Sequence, residues 1–347
     1  MRVALTAIAL CLASGCVHVA PRPVATETYR PRTSDGYGLE LVRYRTPTLP
    51  KGPPVLLLHG VAANSRNMDL DEGHSLARWL VAHGREAWTL SLRGTGSSDD
   101  PDRGSGRPPG YAFDVFWKDD LPTALQEIER VTHAGPVDFV GHSMGGLVLY
   151  AYLSQGGQGV HAAVTLGSPT RLDWGTRVEP VIERFGALVP VGFSIPTAFG
   201  AHLAAPFHGL ADAPLQRLFY EPSNTPVPVM RALFAYGTAD ISSGVLEQFR
   251  GWMATGRFAS ADGQLDFRAG LSQVHTPVLV VAARLDHIAL TPGVRDGYRA
   301  LGGPKQWLLV CPANGAGAEY GHMDLVVGDH APHDVFTPLL NFLDAQP

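Results

Sequence analysis

The stretch VDFVGHSMGG, residues Val137 to Gly146, decides the fold. An apolar run ends in a Gly-x-Ser-x-Gly pentapeptide, and the residues that follow it, LVLYAYL, have the composition of a helix. This order predicts a strand, a sharp turn and a helix, with Ser143 in strained backbone geometry at the turn. Gly141, His142 and Gly145 frame the serine, and the two glycines let strand and helix pack closely. We therefore expect Ser143 to be exposed at the carboxyl edge of a sheet.

The composition is that of a folded globular protein. The chain has 347 residues, of which 45% are hydrophobic and 17% charged, and its formal net charge is -5. No block of lysine and arginine stands out, so the chain lacks the electrostatic signature of a nucleic-acid-binding protein. The 14 histidines contain no HExxH pattern and the 3 cysteines form no CxxC pair. We expect neither a metal nor a cofactor.

The first sixteen residues have the pattern of an export signal. A short positive start is followed by an apolar stretch, Val3 to Ala13, which is too short to span a bilayer as a stable helix. The small residues LASG then precede Cys16 and resemble the bacterial lipobox, which implies that Cys16 is lipidated and anchors the protein to a membrane of the cell envelope. Simple cleavage, giving a periplasmic or secreted protein, is the alternative. Residues 17–33 are proline-rich and are predicted to be a tether.

A series of short apolar runs follows the tether. Residues 39–45 alternate apolar and polar side chains and are predicted to form an edge strand. Continuous apolar runs, which indicate strands buried on both faces, are Val55–Leu58, Ala87–Leu92, Val137–Val140, Ala163–Leu166, Val278–Ala282 and Gln306–Val310. Segments with helical periodicity separate several of these runs. The sequence therefore predicts an α/β fold with a mostly parallel sheet, helices on both faces, and a ligand site at the carboxyl ends of the strands.

The alternation of strands and helices breaks once, between residues 171 and 270. A gap of about a hundred residues is too long for a connection, so we predict an inserted, mainly helical cap between core segments 34–170 and 271–347. Residues 186–211 contain no Asp, Glu, Lys or Arg, but prolines interrupt them too often for a transmembrane helix. Two interpretations remain open. The apolar side chains form the cap's own core, or they line an apolar substrate pocket or touch lipid.

Acyl transfer through a serine requires an imidazole base and a carboxylate that orients the imidazole. In chains with this type of turn, the acid and then the histidine follow the serine, each on a loop after a later strand. Asp286 lies just past the buried run VLVVAA, at the end of VLVVAARLD, and His322 lies in the loop ANGAGAEYGHMD after the last run. The less well placed alternatives are Asp262, Asp266, His330 and His333. Cys311, at the end of the last run, is predicted to be a buried core residue.

Backbone N–H groups are the expected donors to the oxyanion that develops during acyl transfer. One comes from the residue after the nucleophile, which is Met144. The second donor comes from the loop after an earlier strand, where VLLLHGVAAN places Val61. His59 is expected to support this loop by hydrogen bonding rather than to act as a catalyst.

With these residues assembled, the chain resembles the α/β-hydrolase superfamily. HGVAAN, LRGTGSSD, GHSMGG, Asp286 and YGHMD occur in the family's order and approximate spacing over residues 34–342. The resemblance implies that Ser143, Asp286 and His322 form the catalytic triad. The segments DGYGLELVRYR and SRNMDL and the long cap look most similar to lipase and esterase branches, including acid-lipase-like and polyhydroxyalkanoate-synthase-like enzymes. The synthases carry cysteine at the turn, so serine favours hydrolysis over polymerisation.

The sequence thus predicts a membrane-anchored hydrolase that cleaves small-molecule or lipid esters with an apolar acyl or alcohol part. Two alternatives stay open at this point. An acyltransferase would use the same residues and pass the acyl group to an alcohol or amine instead of water. A non-catalytic lipoprotein would keep the pocket as a lipid-binding site.

Overall fold

The computed structural model describes residues 26–102, 110–172, 196–209 and 217–347. The predicted signal peptide and Cys16 lie outside these ranges, as do parts of the predicted cap.

Eight strands form one sheet in the order β1-β2-β4-β3-β5-β6-β7-β8. The strands are β1 (Thr26–Tyr29), β2 (Glu40–Tyr44), β3 (Val55–Leu58), β4 (Ala87–Ser91), β5 (Val137–His142), β6 (Val160–Leu166), β7 (Val278–Ala283) and β8 (Lys305–Val310). β1 pairs antiparallel with β2, and β2 with β4, whereas all the other pairs are parallel. The predicted mostly parallel sheet is confirmed, and every predicted strand is present. The prediction that residues 39–45 form an edge strand is wrong, because β2 lies between β1 and β4.

β1 corrects the tether prediction for residues 26–33, whereas residues 17–25 lie outside the described residues. Residues 26–29 pair with β2 in the register Thr26↔Tyr44, and Arg32 forms a further bridge with Gly38. The proline-rich composition concealed this strand because its side chains are only partly buried. Backbone pairing with β2 holds the strand together with the contact between Tyr29 and Trp88, whose ring centroids lie 5.3 Å apart, and four residues of this kind show no alternating apolar pattern in the sequence.

Ten α-helices surround the sheet within the described ranges. They are α1 (Leu76–Ala82), α2 (Leu121–Thr132), α3 (Met144–Ser154), α4 (Thr197–Ala204), α5 (Val227–Tyr236), α6 (Ser243–Thr255), α7 (Phe267–Gly270), α8 (Thr291–Ala300), α9 (Asp324–Val327) and α10 (Thr337–Asp344). Side chains of α2, α3, α6 and α8 form one apolar cluster. Those of α1, α5, α9 and α10 form a second cluster. Helices therefore cover both faces of the sheet, as the continuous apolar strands predicted.

The described part of the predicted cap contains α4 to α7. Val245, Phe249 and Trp252 of α6 pack into the first apolar cluster together with Phe113, so this part of the segment shares the main core. α4, by contrast, has no buried residue. None of the helices in the described residues is long and apolar enough to span a bilayer. Cys311 is a buried free thiol, as predicted.

Candidate active site

Ser143 lies at the turn between β5 and α3, at the carboxyl edge of the sheet. Its backbone has φ 54° and ψ -119°, a conformation that non-glycine residues rarely adopt and that costs free energy. The backbone N–H of Ser143 donates to Leu166 O of the neighbouring strand at 2.8 Å, which helps to hold the turn. The expectation that Ser143 is exposed is wrong: the residue is only 8% exposed, because neighbouring residues cover the edge of the sheet at this turn.

Close backbone contacts explain the glycines around Ser143. A Cβ on Gly141 would lie 2.5 Å from Gly146 N, and one on Gly145 would lie 2.4 Å from Leu58 O. Real Cβ atoms do not approach backbone atoms this closely, so strand and helix could not pack with side chains at these positions. Gly146 is equally constrained, because its Cβ would lie 2.1 Å from Ser168 Oγ. The constraint on this third glycine was not predicted from the sequence.

Asp286 and His322 form a hydrogen-bonded pair near the same edge. His322 Nδ1 lies 2.7 Å from Asp286 Oδ2, and both residues are buried. The other carboxylate oxygen, Oδ1, accepts the backbone N–H groups of Ile288 at 2.8 Å and Ala289 at 2.7 Å. A carboxylate with three donors is fixed in orientation. It favours the imidazole tautomer with the proton on Nδ1, which leaves a lone pair on Nε2 to accept a proton.

His142 links the serine turn to the His322 loop. Its ring centroid lies 4.6 Å from that of His322, and its Nε2 lies 3.1 Å from the backbone oxygen of His322, to which it donates. Burial lowers the pKa of His142 well below its usual value, so the ring is neutral. The structure thus brings together the segments that carry Ser143 and His322. The described residues show no hydrogen bond between Ser143 Oγ and His322, and in sites of this kind that bond often tightens only when substrate binds.

Gly167 is a site residue that the sequence argument missed. It follows β6, has φ +58°, and a Cβ at this position would lie 3.2 Å from Asp286 Oδ2 and 3.3 Å from His322 Nδ1. Any side chain here would press on the pair. The run Ala163–Leu166 predicted only a strand, although the glycine that follows it, at the carboxyl end of a central parallel strand, was a usable signal.

The loop after β3 passes beside Ser143. A Cβ on Gly60 would lie 3.0 Å from Ser143 Cβ, and Ala62 has the strained φ of 56°. In the part of the chain that the structure describes, the backbone N–H groups of Val61 and Met144 have no acceptor. Met144 is the first residue of α3, where helical N–H groups have no partner within the helix. Two free donors therefore flank the serine.

His59 supports this loop. Its Nδ1 donates to Gly60 O at 2.8 Å, and its Nε2 accepts the backbone N–H of Leu92 at 3.2 Å and lies 3.2 Å from Thr95 Oγ1. Burial lowers the pKa of His59 to about 4, so the ring is neutral at physiological pH. These contacts agree with the predicted supporting role.

The alternative acids and histidines have other partners. Asp266 accepts the N–H of Ala269 at the start of α7, and Asp262 accepts the hydroxyl of Ser260 in a turn. The His333 side chain is 86% exposed and lies 2.8 Å from its own neighbour Asp334. The described residues contain no cluster of histidine, cysteine and acidic side chains that could hold a metal ion.

The family follows from a match over most of the chain. A family model described as the alpha/beta hydrolase fold matches residues 53–313. The chain belongs to this family. Similar solved structures include an esterase from Exiguobacterium antarcticum, with a TM-score of 0.61 and 17% identity over 92% of this chain and 100% of that one. A monoacylglycerol lipase from Paleococcus ferrophilus has a TM-score of 0.60 and 16% identity over 89% of this chain and 99% of that one. At these identities the likeness establishes the fold of this α/β hydrolase alone.

Two curated relatives are lipases. This α/β hydrolase is 30% identical over 178 residues to lipase lipl-1 of Caenorhabditis elegans, covering 47% of the chain and 38% of the relative. It is 32% identical over 168 residues to triacylglycerol lipase 1 of Arabidopsis thaliana, covering 44% of the chain and 40% of the relative. The alignments therefore span less than half of the length of these relatives.

Proposed function

We propose that this α/β hydrolase cleaves carboxylic esters with Ser143 as nucleophile, His322 as base and Asp286 as the group that orients the base. One observation carries the proposal. A serine in strained geometry at φ 54° directly follows His142, whose ring centroid lies 4.6 Å from that of the buried His322, and His322 is hydrogen-bonded at 2.7 Å to the buried carboxylate of Asp286. This combination of a nucleophile at a sharp turn and an oriented imidazole is what acyl transfer requires.

The reaction proceeds in two halves. His322 Nε2 takes the proton of Ser143 Oγ as that oxygen attacks the ester carbonyl, and the N–H groups of Val61 and Met144 stabilise the oxyanion. The C–O bond to the alcohol breaks, and the alcohol leaves with the proton from His322. Water then gives a proton to the same nitrogen and attacks the acyl-enzyme. The acid leaves, and Ser143 regains its proton.

The proposed substrates have a long apolar acyl chain. Phe199, Leu203 and Phe207 of the predicted cap are 64%, 59% and 57% exposed, and their spacing of four residues places them on one side of α4 and the turn after it. Residues 196–209 contain no Asp, Glu, Lys or Arg. We call these three side chains the apolar stripe. An uncharged, exposed apolar surface fits a lipid ester, and the lipase names of the curated relatives support the same substrate class.

The same proposal includes export and a lipid anchor on Cys16, on the evidence of the N-terminal sequence alone. Cys16→Ser should prevent incorporation of a clickable fatty acid during growth and move the protein from the membrane fraction to the soluble fraction. Labelling of the Cys16→Ser variant equal to that of the wild type would overturn the anchor but not the ester hydrolysis.

Ser143→Ala tests the chemistry. The variant should fold normally, lose turnover of p-nitrophenyl esters and lose labelling by a fluorophosphonate probe, which reacts with an activated serine. A wild-type protein that neither turns over these esters nor takes up the probe would be a non-catalytic lipid-binding protein. Product analysis with an added alcohol distinguishes hydrolysis from acyl transfer, because a transferase would form mainly the new ester.

A further inference from the structure

Helix α5, Val227–Tyr236, connects two segments that each contact a loop of the candidate active site. Val229, Met230 and Leu233 bury its inner side in the second apolar cluster, so the helix is fixed against the sheet. We call α5 the bridging helix. The residues just after it contact the loop that carries Val61. The residues just before it contact the loop that carries His322.

The carboxyl end of the bridging helix is hydrogen-bonded to the oxyanion loop, residues 59–64. Ala239 N donates to Ala62 O at 2.9 Å, and Asn64 N donates to Gly237 O at 3.1 Å. The side-chain amide of Asn64 donates to two more carbonyls, Tyr236 O at 2.9 Å and Thr238 O at 3.1 Å. Asn64 is buried. Its amide therefore attaches the oxyanion loop, which carries the Val61 N–H, to the end of the helix.

The segment before the bridging helix is hydrogen-bonded to the His322 loop in a similar way. Asp324 is fully buried and accepts the N–H groups of Gly321 and Glu221, both at 2.6 Å, with a single carboxylate oxygen. Its other oxygen accepts the hydroxyl of Thr225. Gly321 precedes His322 and Glu221 precedes the helix, so Asp324 joins the two segments. Burial raises the pKa of Asp324 to about 6, and above that pH the carboxylate is a full acceptor for these donors.

We propose that Asn64 and Asp324 are positioning residues that act through the bridging helix, which holds the oxyanion loop and the His322 loop in mutual alignment. The inference rests on the proposed ester hydrolysis. The oxyanion donors must meet the carbonyl oxygen while the base meets Ser143 Oγ and the leaving-group oxygen of the same bound ester, and a displacement of about 1 Å costs up to about a hundredfold in rate. Surface loops alone do not hold such precision, whereas one buried helix attached to both loops does.

The chain offers variants that separate these contacts from folding. In the wild type, Asn64 Oδ1 accepts the N–H of Arg66 at 2.9 Å, and the Asn64→Asp variant can keep this hydrogen bond. It loses the two hydrogen bonds that the amide donates to Tyr236 O and Thr238 O. Asn64→Ser is a second variant with the same loss and no added charge. Asp324→Ala removes all three acceptor contacts. Asp324→Asn is the matched control, because its amide oxygen can accept the two N–H groups and its NH₂ can donate to the Thr225 hydroxyl.

The experiment measures kcat and KM on a short soluble ester at pH 8, with melting temperature as the check on folding. Asn64→Asp and Asp324→Ala should each lower kcat by about tenfold to a hundredfold with little change in KM. Asp324→Asn should stay within about threefold of the wild type, because it can keep the three hydrogen bonds. The double variant Asn64→Asp, Asp324→Ala should lose much less than the product of the two single losses, because both changes release the same helix.

Other results overturn the inference. If the single variants keep the kcat of the wild type while Ser143→Ala is inactive, ester hydrolysis stands and the positioning role fails. If the losses in the double variant multiply, the two contacts act independently and the bridging helix does not couple them. An Asp324→Asn variant as impaired as Asp324→Ala also contradicts the role. A wild-type protein without turnover or fluorophosphonate labelling is a distinct result, since it removes the proposed function itself.

Discussion

Replacing Asp286 by asparagine should abolish catalysis and leave the fold in place, because the two carboxylate oxygens have different partners. Oδ1 accepts the N–H groups of Ile288 at 2.8 Å and Ala289 at 2.7 Å, and Oδ2 accepts from His322 Nδ1 at 2.7 Å. An amide will place its carbonyl oxygen on the two backbone donors, since the opposite orientation would aim NH₂ at N–H. The NH₂ then donates to His322 Nδ1, and the imidazole proton moves to Nε2.

An imidazole protonated on Nε2 cannot accept the proton of Ser143. The wrong tautomer lowers kcat by about 10⁴ in triads of this kind, which corresponds to about 5.5 kcal/mol of transition-state stabilisation. The assay is turnover of p-nitrophenyl butyrate, with urea denaturation to confirm that the variant is folded. Asp262→Asn is the control, because this exposed carboxylate has comparable hydrogen bonds to Ser260 and Gln264 in a surface turn. A folded Asp286→Asn variant with a kcat within tenfold of the wild type would refute the reasoning.

Three further predictions concern packing, pH and the apolar stripe. Gly145→Ala would place a Cβ 2.4 Å from Leu58 O and should lower the free energy of unfolding by about 3 kcal/mol. Gly251→Ala, with no atom within 4 Å, should raise the free energy of unfolding by about 0.5 kcal/mol in the same urea titration. Because burial lowers the pKa of His59 from 6.5 to about 4, the unfolded chain binds a proton that the folded one does not. The unfolding free energy of the wild type should therefore fall by about 3 kcal/mol relative to that of His59→Gln as the pH drops from neutral towards 4, and parallel pH curves would contradict this. Phe199→Gln combined with Leu203→Gln should slow hydrolysis of emulsified long-chain esters at least about tenfold and leave short soluble esters unaffected. Leu49→Gln, at a residue that is 90% exposed outside the predicted cap, should change neither activity.

The sheet and its turn were predictable because their causes are local. Strands buried on both faces must be continuously apolar, and a serine at a strained turn needs glycines where the backbones meet. The chain order of acid and histidine then predicted Asp286 and His322. In the structure, Asp286 Oδ2 lies 2.7 Å from His322 Nδ1. β1 was not predicted because its four residues are only partly buried and show no alternating apolar pattern, although Tyr29 packs against Trp88.

The contacts that hold the site together were not predictable for a related reason. Asp324 accepts the backbone N–H of Glu221, which is 103 residues away, and Asn64 donates to Tyr236 O, which is 172 residues away. A backbone N–H or carbonyl exists at almost every position, so the sequence carries no information about which one a distant side chain will meet. Asp324 follows His322 closely in YGHMD, but its spacing alone does not distinguish a structural acid from an exposed one.

The bridging helix and the residues just after it also connect the apolar stripe to the oxyanion loop. Thr197 Oγ1, at the start of α4, donates to Ala239 O at 2.6 Å, and Ala239 N donates to Ala62 O at 2.9 Å. Arg231 Nε of the bridging helix donates to His208 O at 2.9 Å, just after the stripe. A single residue, Ala239, thus links the start of the helix that carries the apolar stripe to the oxyanion loop.

Variants of the apolar stripe and variants of Asn64 should therefore have different effects on ester hydrolysis. Loss of the apolar stripe removes contact with an aggregated substrate. Its effect on hydrolysis should vanish when the ester is dissolved, because the hydrogen bonds at Ala239 and Asn64 remain. Loss of the Asn64 amide disturbs the oxyanion loop itself and should lower kcat equally on dissolved and emulsified esters. If Asn64→Asp impaired only the emulsified ester, the amide would serve the lipid surface and not the alignment of the catalytic groups.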